Sequence, residues 1–150
     1  MSHKHSKYKD KYSDVIITKE DIEYEVDREK ICPFLIRVFY NENDFSSLKQ
    51  FDNFSFPSNE LQIYTWDDAN LRELTTLISG ELTIKNIIKI KFSCLYYDSM
   101  GYLQRKELGD VYIDKNTPIE LKTLHSLRFV IGDYIDINIV TINKGYNSHY

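Results

Sequence analysis

The sequence predicts an α+β domain in which one main helix lies across a mixed sheet of about five strands. Three observations carry that expectation. Apolar and polar residues alternate through several separated segments, the period of half-buried strands. One stretch repeats at helical spacing instead, with Leu71, Leu74, Leu77 and Ile78 forming a single apolar stripe. The order runs strand, strand, helix, strand, short strand or strands, strand, and one helix set on such a sheet makes a two-layer α+β pair.

Composition sets the outer limits. At 150 residues the chain suits one domain with tails, and a domain of that size buries about 70% of its unfolded surface. The hydrophobic fraction of 42% and charged fraction of 28% are those of an ordinary soluble protein. The aromatic share of 14% accompanies abundant Asn, Ile, Lys and Tyr, as AT-rich codons would give. A net charge of −4 and a pI near 5.6 argue against a dedicated nucleic-acid binder, which usually shows a basic face. No run matches the 18 or so apolar residues of a membrane span, so no membrane partner is expected. "MSHKHSKYKDKYSD" lacks the apolar core of a secretory signal. Cys32 and Cys94 therefore read as reduced, intracellular thiols, and the expected location is the nucleus or the cytoplasm.

The elements follow in order. Residues 1–26 are expected to form a largely flexible tail, because the first thirteen are polar and lysine-rich and bury nothing. Within that tail, "TKEDIEYEVDREK" is compatible with a short helix, an edge strand or an arm ordered by a partner. Residues 27–142 form the expected domain, and 143–150 a patternless second tail. "CPFLIRVFY" is the first strand, with Pro33 at its start, where no ladder donor is needed. Phe34, Ile36 and Val38 share one face, while Leu35, Arg37 and Phe39 share the other. Arg37 marks the second face as the wetter, which makes Leu35 and Phe39 candidate exposed apolar residues. The segment from Asn41 to Asn59 is too long for a hairpin loop. Its five apolar residues Phe45, Leu48, Phe51, Phe54 and Phe56 are expected to pack against the domain edge, with a partner contact as the alternative.

"SNELQIYTWDDANLRELTTL" changes from strand to helix within twenty residues. Leu61 and Ile63 point inward, Gln62 and Tyr64 outward. Thr65 with Asp68 fits a capping box, so the helix is expected over Asp67–Ser79, with Trp66 directly after the cap and Gly80 as C-cap. "KNIIKIKFSCLYY" alternates as a strand, Asp98 to Gly101 reads as a turn, "YLQRKEL" as a weak strand and "IELKTL" as a short one. "IGDYIDINIVTI" closes the domain with Ile135, Ile137 and Ile139 inward and Tyr134, Asp136 and Asn138 outward. With the first and last strands central and parallel, this is the ubiquitin-like β-grasp arrangement.

The chemistry-bearing motifs are few. No glycine-rich phosphate loop, C-x-x-C or H-E-x-x-H occurs, so no catalytic residue, cofactor or metal ligand is expected. Asp67 and Asp68 are better placed as helix-start charges than as acid–base groups. Cys32 and His125, a conceivable nucleophile and base, lie far apart without a supporting signature.

"DREKICPFLIRVFY", "SNELQIYTWDDANLRELTTLI" and "FVIGDYIDINI" resemble, in that order, the signature blocks of the 18-kilodalton Sin3-associated polypeptide family. The resemblance spans Asp27 to Ile139. It implies a ubiquitin-like fold and a non-enzymatic nuclear adaptor, monomeric within a hetero-complex. The implied partners are Acinus- or Pinin-like scaffold segments, a serine-rich RNA-binding protein in a splicing and exon-junction assembly, and the Sin3–histone deacetylase corepressor. The chain departs from the family in the phenylalanine-rich 41–59 loop, in "SGELTIKN" after the helix and in "DVYIDKNTPIELKTL". Candidate partner-binding residues on the outward faces are Leu35, Arg37, Phe39, Tyr64, Tyr134 and Asp136. Trp66 is either an interface anchor or a plug in the strand–helix corner, and Arg37 with Asp136 is alternatively a simple cross-strand pair. A second functional reading is an auxiliary RNA contact through the lysine-rich tail and Lys89/Lys91, with strongly salt-dependent affinity.

Overall fold

Branched and aromatic residues dominate the segments that become strands. In a computed structural model that describes residues 8–9 and 16–142, these are β1 (Tyr8–Lys9), β2 (Ile16–Ile17), β3 (Phe34–Glu42), β4 (Glu60–Thr65), β5 (Ile87–Tyr97), β6 (Leu103–Tyr112) and β7 (Tyr134–Thr141). Two α-helices accompany them, α1 (Lys19–Glu23) and α2 (Leu71–Glu81). The main sheet has the order β4-β3-β7-β5-β6. β3 and β7 run parallel from Val38↔Ile135 to Glu42↔Ile139, and every other neighbouring pair is antiparallel. With α2 as the main helix on this sheet, the architecture is the expected ubiquitin-like α+β fold.

The inner face of the sheet carries the main core. Ile36, Val38, Ile90, Ile135, Ile137 and Ile139 pack against Leu71, Leu74 and Ile78 of α2, all essentially removed from water. Ile17 of β2 joins the same core, so packing begins upstream of Asp27. Most of residues 1–15 of the tail expected to be flexible, and all of the patternless 143–150 tail, lie outside the described residues.

Several boundaries differ from expectation for local reasons. The helix starts at Leu71 rather than Asp67, because Asn70 is the cap: its side chain accepts from Glu73 N–H at 2.9 Å. Thr65 is instead the buried last residue of β4. Residues 66–69 make a turn closed by Ala69 N–H on Trp66 O, and Ala69 is buried inside it. Gly80 stays within the helix, which ends at Glu81. "YLQRKEL" belongs, from Leu103 on, to a full ten-residue edge strand, β6. "IELKTL" is not a strand: Pro118–Leu121 forms a 3-10 turn with proline in its first turn, where the missing donor is not needed. That turn packs tightly on β6. A Cβ on Gly109, whose φ is +148°, would stand 2.5 Å from Ile119 Cγ1, so only glycine admits this approach.

The 41–59 segment packs on the domain, as expected, but it lies over the outer face of the sheet rather than its edge. Its 3-10 turns over Leu48–Phe54 reverse at Asn53, which takes the left-handed φ of 57°. Phe51 is buried there with Phe39 and Leu95, and Phe56 and Tyr134 pack around them. This second, smaller core corrects the outward reading of two residues: Phe39 and Asp136 are both 0% exposed. Strand alternation assigns them to the outer face correctly, but the loop removes that half of the face from water.

Candidate partner-binding surface

Register brings six of the seven candidate residues onto one face. β3 and β4 pair Leu35 with Tyr64, Arg37 with Gln62 and Phe39 with Glu60, and directly opposed residues point the same way. Tyr134 and Asp136 of β7 continue that face toward Leu95 and Ser93 of β5. The loop then divides it. On the covered half lie Phe39 and Asp136. On the open half Leu35 is 38% and Tyr64 64% exposed, with Tyr97 at 55% and Tyr102 at 66% across the sheet. Tyr134 is half-buried at the boundary.

Arg37 does not pair with Asp136. Its guanidinium donates to both carboxylate oxygens of Glu60, at 2.8 and 2.6 Å, and lies 4.1 Å over the Phe56 ring. Those hydrogen bonds hold the Glu60 carboxyl below the usual carboxylate range and raise Arg37 above its ordinary value. Asp136 is taken by Arg105 instead, at 2.7 Å. Ser46 donates to the same carboxylate from its backbone N–H at 2.9 Å and its hydroxyl at 2.7 Å. Arg105 also donates to Ser46 O and Ser93 Oγ, both at 2.6 Å, and covers the Phe45 ring. A buried, fully hydrogen-bonded charge pair thus clips the loop onto the sheet. Its one trace in the sequence is an aspartate in the middle of "YIDINIV", since a charge in an otherwise apolar central strand needs a partner.

Trp66 occupies the corner between β4 and α2, half-buried, and contacts the chain segment before β3. Its indole N–H donates to Ile31 O at 2.7 Å, and Arg28 lies 4.8 Å over its ring. Arg28 in turn donates to Asp68 and to both oxygens of Glu73, and Val26 N–H donates to Asp68 Oδ2 at 2.9 Å. Tyr24 stacks on His125 with centroids 3.7 Å apart, and His125 Nδ1 lies 3.1 Å from Asp67 Oδ2. The two aspartates read from the sequence as helix-start charges therefore clasp the 24–31 segment across the corner, Asp68 directly and Asp67 through His125. This contact could not be read from the sequence, because the partners lie about forty positions apart.

Acid should loosen that clasp. Burial opposes ionisation of Asp68, but Arg28 and the Val26 N–H outweigh it and hold its carboxyl below the usual range. A depressed carboxylate contributes stability above its unfolded value near pH 4 and loses it as pH falls through the folded value. Trp66 is the only tryptophan, so its fluorescence reports the corner. Between about pH 5 and pH 2 the emission is expected to shift toward that of exposed indole before global unfolding is seen by circular dichroism. Asp68→Asn should show the shifted emission already at neutral pH. An unchanged spectrum in that variant would show that Asp68 does not hold the arm.

The remaining chemistry is sparse. Cys94 is buried 3.5 Å from Asp133, and burial first, then that carboxylate, pushes its thiol up to about 12. Cys32 is exposed, and His125 meets Tyr24 and Asp67 rather than that thiol. Among the described residues no three His, Cys, Asp or Glu side chains gather as a metal ion would require. No described helix is long and apolar enough to cross a membrane. Lys89, half of the basic strand pair, is bonded to Asp110 at 2.9 Å.

Comparison with known proteins agrees with the sequence blocks. The family model of the Sin3 associated polypeptide p18 matches residues 25–139. The chain is 38% identical over 137 residues to "Histone deacetylase complex subunit SAP18" of Mus musculus, covering 85% of this chain and 89% of that protein, and equally to that of Homo sapiens. It is 38% identical over 120 residues to the Arabidopsis thaliana protein of the same name, covering 76% of this chain and 78% of that one.

Proposed function

Because this chain belongs to the Sin3 associated polypeptide p18 family, we propose that it is a non-enzymatic adaptor subunit of a nuclear histone deacetylase complex. It holds a linear segment of a larger scaffold on the outer face of its sheet. Scaffolds of the Acinus or Pinin type, working with a serine-rich RNA-binding protein, are the partners that the family resemblance suggests, and Sin3 is the other. The observation that carries this reading is the open half of the outer face, where Leu35, Tyr64, Tyr97 and Tyr102 stand in water beside a packed aromatic core. Exposed apolar surface of this kind marks interaction sites, and a small sheet recognises peptides through such a face or edge.

Purification of the tagged full chain from nuclei of its own cells, at high salt, tests the reading. A scaffold and deacetylase subunits should co-elute at fixed stoichiometry. The double variant Leu35→Asp/Tyr64→Asp should lose them while keeping its circular dichroism spectrum. Retention of the scaffold by that variant would remove the outer face from the function. Salt-sensitive recovery of RNA alone would replace the adaptor by the lysine-borne RNA contact.

A further inference from the structure

Where the 51–56 segment stops covering the outer face, a groove of about 500 Å³ opens between it and the β5–β6 turn. Tyr134 and Leu103 line its floor, Phe56 one wall, and Tyr97 and Tyr102 the other. One carboxylate, Asp52, lines the groove, and a second, Asp98, stands at the adjoining turn. Asp52 is exposed on the loop side. Asp98 follows Tyr97 at the turn, where its carboxylate accepts from Tyr102 N–H, Gln104 Nε2 and Met100 N–H, each at 2.9 Å. These hydrogen bonds, Tyr102 N–H foremost, hold Asp98 below the usual carboxylate range, so it keeps its charge at neutral pH. No arginine or lysine lines the groove among the described residues, and Arg37 and Arg105 are committed to Glu60 and Asp136.

Building on the adaptor reading, we infer that this groove holds a partner segment in which an arginine or lysine is flanked by an apolar side chain. Arg37 already lies over the Phe56 and Tyr134 rings, so the rings offered to a partner cation are those of Tyr97 and Tyr102, which attract it through their quadrupole, and Asp52 with the neighbouring Asp98 adds charge of the complementary sign. A glutamate at the same place would face Asp52, so the groove discriminates as well as binds. Tyr134 and Leu103 supply the apolar floor for the flanking side chain. A second copy would bring the same carboxylates and an overall charge of −4 against itself.

The test uses the full chain and two fluorescein-labelled peptides of about ten residues, one alternating arginine with leucine and the other glutamate with leucine, followed by anisotropy. The arginine peptide should bind and the glutamate peptide should bind at least about tenfold more weakly. Tyr102→Ala and Asp52→Lys, both at exposed positions, should each weaken the arginine peptide by about three- to tenfold. Glu81→Lys, the same charge change at an exposed position on α2, should not. Equal effects of Asp52→Lys and Glu81→Lys would reduce the attraction to net charge and overturn the proposal. Self-association abolished by Tyr102→Ala would assign the groove to a second copy instead. In nuclear purification, Asp52→Lys and Tyr102→Ala that keep the whole scaffold, while Leu35→Asp/Tyr64→Asp loses it, sink the groove and leave the adaptor standing. A wild-type chain that recovers no scaffold sinks the adaptor reading itself.

Discussion

Replacing Asp136 by alanine is expected to destabilise the protein by about 3–5 kcal/mol, the range for breaking a buried charge pair from one side. The carboxylate is wholly buried and takes three donors, two from Ser46 and one from Arg105. Its removal leaves the mostly buried Arg105 guanidinium without a counter-charge and the Ser46 N–H without its acceptor. Both are desolvated groups, and an unpaired one loses its water without compensation. For a chain of this length about 1 kcal/mol corresponds to 2–4 °C, so Tm should fall by roughly 6–20 °C. Arg105→Met should be comparably harmful, since Asp136 then keeps its charge with only Ser46 to satisfy it. The double variant Asp136→Leu/Arg105→Met should recover much of the loss, because a buried pair replaced by apolar side chains of similar volume is often neutral. Urea denaturation of the four proteins measures this. A single Asp136→Ala effect below about 1 kcal/mol would mean that the clip does not hold the loop.

Phe39→Ala should have a similar cost, about 3–5 kcal/mol, the usual range for truncating a core phenylalanine. The ring meets Phe51 edge-on at 4.9 Å, Tyr134 edge-on at 5.7 Å and Phe56 in a stack at 6.0 Å. Aspartate at this position should be worse still, because it places an unpaired charge where the loop excludes water. That reverses what alternation suggests, namely that Phe39→Asp is a surface change removing a binding contact and sparing the fold. Leu35→Asp, on the same strand face, should change stability by only about 0.5 kcal/mol. The contrast between the two positions is the measurement. Near-equal unfolding midpoints would show that the loop does not seal the outer face around Phe39.

Both predictions concern the part of the molecule that was hardest to read from sequence. Period-two alternation placed the five strands of the main sheet, though it also made a strand of "IELKTL", and it assigned Ile36, Val38, Ile135, Ile137 and Ile139 to the core. The leucine stripe placed α2, with its start four residues early because two rival caps, Thr65 and Asn70, stand in the same stretch. The signature blocks carried the family. These features are local: a strand face or helix stripe is written in residues two to four positions apart, and the long core-facing segments leave few alternative pairings.

The sequence by itself therefore determined the fold class, the family and which residues share the outer face of the sheet. Only the tertiary structure decided which of them meet water. Ser46 reaches Asp136 across ninety positions, Arg105 closes the pair from the neighbouring hairpin, and Phe51 and Phe56 roof over Phe39. Arg28 reaches Asp68 and Trp66 in the same way at the corner. Alternation reports the direction in which a side chain points, whereas burial depends on what a distant segment lays over it. A long loop that finds an apolar face with a charge at its centre gains by covering the one and pairing the other, and no local pattern records that outcome.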